Sequence, residues 1–92
     1  MIIGVLQVEL ELHGARSLKE KRQVIKSLKD RIRSKFNVSV AEVDHQDVWH
    51  NAMLGVAIVS TDQQYANQVL SQVVNFVERE PEVVLRDYHL RF

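Results

Sequence analysis

The 92-residue chain contains no cysteine, one proline and three glycines, and only 7% of its residues are aromatic. Without cysteine it has neither a disulfide framework nor a thiolate metal site, so nothing requires an oxidising compartment. The longest apolar run, residues 52–59, is far shorter than the ~20 residues that span a bilayer. Met1 leads into an apolar segment without a basic leader, which is not typical of a secretory signal. We therefore expect a cytoplasmic protein.

Length and composition predict one domain over residues 1–92. Apolar side chains make up 46% of the chain, and a chain of this size buries somewhat over ~60% of the surface that it exposes when unfolded. A single core can therefore form without metal or disulfide support. Twelve basic residues balance twelve acidic ones, which excludes both a uniformly basic coat for nucleic acid and an acidic disordered chain.

The first half of the chain has the pattern of a strand, a helix and a second strand. Apolar and polar residues alternate over residues 5–12, which predicts a strand with one buried face. Ser17 and Glu20 have the spacing of a capping box, so a helix should begin at Leu18 and run to about Lys35. Its apolar positions are Leu18, Val24, Ile25, Leu28 and Ile32.

Residues 36–40 alternate as a second strand, with a bulge or the strand end at residues 41–43 and a polar loop at 44–51. The apolar run at residues 52–60 then predicts a central strand that is buried on both faces.

A second helix and a last strand complete the chain. Thr61 and Asp62 can cap the helix, Pro81 marks its exit, and residues 83–92 form the strand. The apolar face of this helix comprises Tyr65, Val69, Leu70, Val73, Phe76 and Val77.

The resulting order, βαββαβ, predicts an α+β ferredoxin-like fold, in which two helices cover one face of a four-stranded antiparallel sheet. Right-handed crossovers place the first and third strands in the centre. The sheet face without helices carries Ile3, Val5 and one side of the third strand, and is too apolar to meet only water. We therefore expect a homodimer with Ile3 and Val5 in its interface.

The zero net charge conceals an uneven distribution. Residues 16–35 hold nine basic and two acidic side chains, a local charge of +7, whereas the rest of the chain holds three basic and ten acidic ones, or −7. On a helix that turns ~100° per residue, five of the basic side chains lie within about 80° of one another. Asp30 and Glu20 are expected to lie beside this basic stripe with little effect on its charge. The stripe comprises Lys19, Arg22, Lys26, Lys29 and Arg33.

The stripe has two interpretations. It can be a solvated helix face, because exposed like charges are screened by salt, or it can bind the phosphates of RNA or an acidic protein. No aromatic residue interleaves the stripe, so an RNA contact should involve phosphates and shape rather than bases. The candidate nucleic-acid-binding residues are Arg16, Lys19, Lys21, Arg22, Lys26, Lys29 and Arg33.

Lys21 differs from the other candidates because the helical wheel directs it into the apolar face, one turn after the cap. A lysine there must reach the edge of the sheet or meet an acid. The pattern favours a structural ion pair over a ligand contact.

The loop between the second and third strands is the densest group of reactive side chains: Asp44, His45, Asp47, Trp49 and His50. Two imidazoles and two carboxylates can bind zinc or manganese, but their spacing matches no standard motif, so we predict a hydrogen-bonded loop and no metal. Trp49, the only tryptophan, can pack under the loop or serve as an interface anchor. We favour packing.

The sequence contains no recognisable catalytic motif. The glycines are scattered rather than gathered into a phosphate loop, and no nucleophile has an identifiable base. Arg16 follows the first strand, where acylphosphatases carry a phosphate-binding arginine, but residues 13–16 are too short and too poor in glycine for that loop. We predict no catalytic residue and no cofactor, and a phosphate-processing enzyme is the least favoured function.

Four segments in this order resemble the YlxP-like proteins of bacteria, the domain of unknown function 503. They are SLKEKR at 17–22, FNVSVAEVD at 36–44, QDVW at 46–49 and LGVA at 54–57. The resemblance spans nearly the whole chain. It implies a small cytoplasmic ferredoxin-like protein whose gene often lies near genes for translation initiation and ribosome maturation, and it supplies no catalytic residues.

Together, the charge pattern and the resemblance favour a non-enzymatic RNA- or ribosome-associated binding protein. The alternative is a self-associating interaction or regulatory module that binds an acidic protein partner.

Overall fold

A computed structural model describes residues 1–92, which form a four-stranded sheet and two helices. The elements are β1 (Ile2–Leu12), α1 (Leu18–Lys35), β2 (Ser39–Asp44), β3 (Asn51–Ser60), α2 (Gln63–Glu78) and β4 (Val83–Arg91). The strand order is β2-β3-β1-β4 and every neighbouring pair is antiparallel. Both helices pack on the same face, where one cluster of buried apolar side chains forms the core. The predicted ferredoxin-like fold, with the first and third strands in the centre, is confirmed.

The start of α1 is set by side chains that satisfy free backbone N–H groups. Ser17 Oγ accepts a hydrogen bond from the N–H of Glu20 at 3.2 Å, and Glu20 Oε2 accepts one from the N–H of Arg16 at 2.6 Å. In a standard capping box the glutamate accepts a hydrogen bond from the N–H of the N-cap residue, which is Ser17 in this chain. Here Glu20 accepts it from the preceding residue, Arg16. Gly14, at φ +85°, makes the turn that leads from β1 into this cap.

β2 begins later than the alternating pattern predicted. Phe36 closes α1 instead, because its N–H still donates to the last turn of the helix and its ring is buried in the core. The strand therefore starts at Ser39 and continues to Asp44. Of the two alternatives predicted for residues 41–43, a bulge or the strand end, the structure has the first, because the pairing with β3 shifts register at Val43.

β3 is central, but the prediction that it is buried on both faces is wrong. Because both helices cover the same face, alternate side chains of the strand are buried and the others are only partly covered. Val59 is 66% exposed. The buried positions are Ala52, Leu54, Val56 and Ile58.

Asp62 alone caps α2, since its side chain accepts a hydrogen bond from the N–H of Gln64 at 3.0 Å. Tyr65 is exposed, contrary to the predicted apolar face, because Ala66 takes the inward position of the first turn. Six side chains of α2 are buried: Ala66, Val69, Leu70, Val73, Val74 and Val77. Neither helix is both long enough and apolar enough to span a membrane.

Candidate anion-binding groove

A groove between α1 and β2 gathers four of the predicted basic residues. It encloses about 370 Å³. Ile25 forms an apolar part of its lining, and Glu42 of β2 stands on the side opposite the helix. We call this cavity the basic groove. Its lining consists of Arg22, Ile25, Lys26, Lys29, Asp30, Arg33 and Glu42.

The basic groove owes its length to α1 and its width to contacts that join α1 to β2. Arg22 and Arg33 are about three helical turns apart, or ~16 Å along the axis. At the far end, Arg33 Nη2 donates to the carbonyl oxygen of Val40 at 2.6 Å. At the near end, Lys21 Nζ lies 2.8 Å from Glu42 Oε2. These two contacts fix the helix against the edge strand.

Asp30 neutralises part of the stripe, which corrects the expectation that it lies to one side with little effect. Its Oδ2 accepts a hydrogen bond from Lys26 Nζ at 3.0 Å, and its Oδ1 lies 3.4 Å from Arg33 Nη1. The hydrogen bond from Lys26, together with the charges of Lys26, Arg33 and Lys29, lowers the pKa of Asp30 below 3.8. The signal was present in the sequence, because Asp30 stands four residues after Lys26 and three before Arg33.

Arg22 and Lys29 are the unneutralised cations of the groove. No carboxylate oxygen lies within 4.0 Å of either charged group. Lys19 and Arg16 also have no acidic partner, but they lie at the start of α1 and do not line the groove. Along the helix the groove therefore presents free and shared positive charges in alternation: Arg22 and Lys29 are free, and Lys26 and Arg33 are shared with Asp30.

Lys21 is buried, with 1% of its surface exposed. Its ammonium group donates to the carbonyl oxygens of His45 at 2.5 Å and Val48 at 2.6 Å, and it lies 2.8 Å from Glu42 Oε2. Two backbone carbonyl oxygens and one carboxylate oxygen thus surround the buried ammonium group. The structural ion pair that the helical wheel favoured is present. The inclusion of Lys21 among the candidate phosphate ligands is therefore corrected, since its ammonium group supports the loop after β2.

Glu42 is the acidic partner that the sequence did not identify. Its Oε2 is buried and makes no hydrogen bond of good geometry, so the Lys21 ammonium is the group that compensates its charge. Glu42 lies two residues after the buried Val40, so alternation along β2 turns both side chains toward the helices. The sequence pattern predicted a bulge or the strand end at residues 41–43 and therefore left the direction of Glu42 open.

The loop at residues 45–50 is held at both ends. His45 adopts φ 64°, and its carbonyl oxygen also accepts a hydrogen bond from the N–H of Val48 at 3.0 Å, which closes a turn. Beyond the turn, the carbonyl oxygen of His50 accepts one from the N–H of Leu12 in β1 at 2.9 Å. The loop therefore rests on α1 at one side and on β1 at the other.

Trp49 is 46% exposed, so the prediction that it packs under this loop is wrong. Its ring meets the ring of His50 edge-on, with centroids 5.3 Å apart. Asp47 is exposed without a polar partner, and Asp44 Oδ1 accepts a hydrogen bond from the N–H of His45 at 2.8 Å. No three His, Asp or Glu side chains converge on a point that could hold a metal ion.

The sheet face without helices is apolar at one end. Ile3 and Val59 pair across β1 and β3 and are 51% and 66% exposed. Val5 is half-buried, and Val43 covers Gly55, where an added Cβ would come within 2.9 Å of Val43 Cγ1. Ile3 and Val5 therefore lie on the face on which they were predicted.

The family described as "Protein of unknown function (DUF503)" matches residues 3–90. The chain belongs to the DUF503 family. A curated DUF503 relative, the "Uncharacterized protein YlxP" of Bacillus subtilis (strain 168), is 38% identical over 82 residues, which cover 89% of each chain. The resemblance noted from the four sequence segments is thereby confirmed.

Solved structures share the fold of this DUF503 chain at low sequence identity. The de novo designed protein LFR1 1 with ferredoxin fold has a TM-score of 0.60 at 12% identity, over 100% of this chain and 87% of its own. The structural-genomics protein YJCS has a TM-score of 0.56 at 8% identity, over 99% and 98%. At these identities the likeness establishes the ferredoxin-like fold alone.

Proposed function

We propose that the protein is a non-enzymatic RNA- or ribosome-associated binding protein that holds RNA phosphates in the basic groove. The observation that carries the proposal is the pair of free cations, Arg22 and Lys29, which alternate with Lys26 and Arg33 on one wall of a groove. The chain as a whole has no net charge. Attraction to a polyanion must therefore act at this surface rather than over the whole protein.

The shape of the groove favours an anion-binding role over a merely solvated helix face. Charges on a convex helix are screened by water and salt on all sides. In a cleft with low-dielectric walls, such as Ile25, the field of several cations is focused and raises the local concentration of anions. An RNA backbone supplies phosphates in series, which matches a groove with cations along ~16 Å of helix.

The experiment measures binding of a fluorescent RNA oligonucleotide by anisotropy over a salt series. The test variant changes Arg22, Lys26 and Lys29 to Gln, and the matched control changes Lys35, Arg79 and Arg91 to Gln, so that both lose three charges. We expect affinity to fall steeply with salt, with a log–log slope of about −0.7 per phosphate contact. The test variant should flatten that slope by about two units, and the control should retain it.

Two results would overturn the proposal. One is the absence of RNA binding at low salt. The other is an equal loss of affinity in the two triple variants, because binding would then depend on net charge and not on the groove. Arg33 is left unchanged in the design because it bonds to Val40 in the folded protein.

A second candidate function is a self-associating interaction module. The observation that favours it is the exposed cross-strand pair of Ile3 and Val59. A second copy would cover this apolar pair on both partners at once. The same module would take an acidic protein partner on the basic groove. Sedimentation equilibrium should show a dimer that Ile3→Lys dissociates, and a monomer at high concentration would exclude this candidate.

A further inference from the structure

The loop that carries Trp49 is bound to the first turn of α1, the end of the helix at which Arg22 begins the lining of the basic groove. Lys21 Nζ donates to the carbonyl oxygen of Val48, the residue before Trp49. The same ammonium lies against Glu42, which lines the groove, and Arg22 follows Lys21 in the chain. The fold thus brings the loop that carries the only tryptophan to the start of a helix whose basic stripe has no aromatic residue of its own.

We infer that Trp49 is a stacking platform for an unpaired base and that the ligand is single-stranded RNA. The inference rests on the proposed RNA-binding function and adds to it the strand state of the ligand. The backbone phosphates would lie along Arg22, Lys26 and Lys29, and one base would leave the strand to stack on the indole ring. In a duplex the bases already stack on one another, so a duplex cannot supply that base without unpairing.

The loop holds Trp49 in place before any ligand arrives. Lys21 anchors its first half through the oxygens of His45 and Val48, and Leu12 anchors its end through the oxygen of His50. The edge-on contact with the His50 ring restricts the indole further. A side chain that is exposed and already ordered loses little conformational entropy on binding.

The surroundings of Trp49 favour a base over a protein partner. Interface anchors in proteins are typically surrounded by a patch from which water is excluded, whereas Trp49 shares its loop with the exposed Asp47 and His50. The carboxylate of Asp47 also repels a phosphate, so the RNA backbone should stay on the groove. The face of a base is uncharged, so a base can stack on Trp49 while its phosphate remains in the groove.

The test uses the intrinsic fluorescence of Trp49, which is unambiguous because the chain has one tryptophan. A single-stranded oligoribonucleotide, an abasic strand of the same length and a duplex of the same sequence are titrated into the full-length protein. The variants are Trp49→Leu and Trp49→Phe, and Tyr65→Leu is the matched loss of an exposed aromatic residue on α2. Circular dichroism confirms that each variant is folded.

We expect the single strand to quench Trp49 and the abasic strand to bind more weakly without quenching. Trp49→Leu should weaken single-strand binding by roughly 5- to 100-fold, the range for one lost stacking contact. Trp49→Phe should restore most of the affinity, and Tyr65→Leu should have no effect. The duplex should bind no better than the abasic strand.

The outcomes separate the inference from the proposed function. Salt-dependent binding that is the same for all three ligands and for Trp49→Leu overturns the stacking role and leaves the groove intact. If the Trp49 fluorescence changes with protein concentration and not with RNA concentration, Trp49 contacts another protein molecule. That outcome also overturns the stacking role. No binding of any of the three ligands removes the proposed function itself.

Discussion

The two helices occupy equivalent places in the βαββαβ order, yet they are attached to the sheet in different ways. α2 buries six apolar side chains and carries one charged residue, Glu78. α1 buries three apolar side chains and the charged Lys21, and its bonds to β2 are polar: Lys21 with Glu42, and Arg33 with Val40. One helix is held by the hydrophobic effect and the other partly by directed polar contacts.

This difference explains how a small domain can carry a concentrated charge. A helix with a wide apolar stripe has less of its circumference left for cations, as α2 illustrates. α1 keeps a narrow apolar face of Ile25, Leu28 and Ile32, and it uses long side chains to reach β2. Hydrogen bonds and ion pairs are directional, so they also set the spacing between helix and strand that opens the groove.

The largest effect should come from breaking the polar attachment of α1. Lys21→Met removes the ammonium group and leaves Glu42 Oε2 buried without compensation. Truncating one partner of a buried ion pair typically costs about 3–5 kcal/mol. We therefore expect the free energy of unfolding, measured with urea, to fall by an amount in that range. Because the loop oxygens lose their donor, the Trp49 emission should also shift toward that of exposed tryptophan.

The controls for this prediction are Lys19→Met and the double variant Lys21→Met, Glu42→Leu. Lys19 is exposed, and its change should alter stability by no more than about 0.5 kcal/mol. The double variant should recover part of the loss, since no uncompensated carboxylate remains. A Lys21→Met protein as stable as the parent would mean that α1 is held by its apolar face alone.

A nearly as large effect should come from the apolar attachment of α2. Leu70 is fully buried, and Leu→Ala at such sites costs about 2–5 kcal/mol. Urea unfolding of Leu70→Ala should show this loss. RNA affinity at low temperature should be unchanged once corrected for the folded fraction. If RNA affinity fell by more than the loss of folded protein explains, α2 would contribute to binding as well as to stability. That result would contradict the separate roles that we assign to the two helices.

The smallest effect should come from Asp30, and it should appear in binding rather than in stability. Asp30→Asn releases Lys26 and Arg33, so RNA affinity should rise and its salt dependence should steepen. Asp87→Asn on β4, away from the groove, removes the same charge and should have a smaller effect. Anisotropy titrations over a salt series compare the two variants, and a larger gain from Asp87→Asn would contradict the groove as the binding surface.

The pKa of Asp30 sets the pH range of this effect. It is lowered below 3.8 by the hydrogen bond from Lys26 and the surrounding cations, so the carboxylate remains charged at neutral and mildly acidic pH. The stabilisation from its contacts is present above the unfolded value and is lost as pH falls through the lowered pKa. The difference in affinity between Asp30→Asn and the parent should therefore be constant from about pH 7 to pH 5, because the pKa lies below that range.

The sequence predicted the fold well because its signals are local. Alternation, the Ser17 cap and Pro81 each act within a few residues. What it could not supply were contacts between distant segments, such as Lys21 with the oxygens of His45 and Val48. The burial of Lys21 was visible on the helical wheel, but its partners were not. That same long-range contact places the loop of Trp49 against the first turn of α1.

Arg33 has a second consequence for the molecule. β2 is an edge strand of the sheet, and a free edge is a template on which another chain can add a strand and start aggregation. The guanidinium of Arg33 occupies the carbonyl oxygen of Val40 on that edge, so a residue of the basic groove also guards the sheet against edge-to-edge pairing. Replacing Arg33 would free this carbonyl oxygen to pair with another chain, so we expect such a change to raise the tendency of the protein to aggregate.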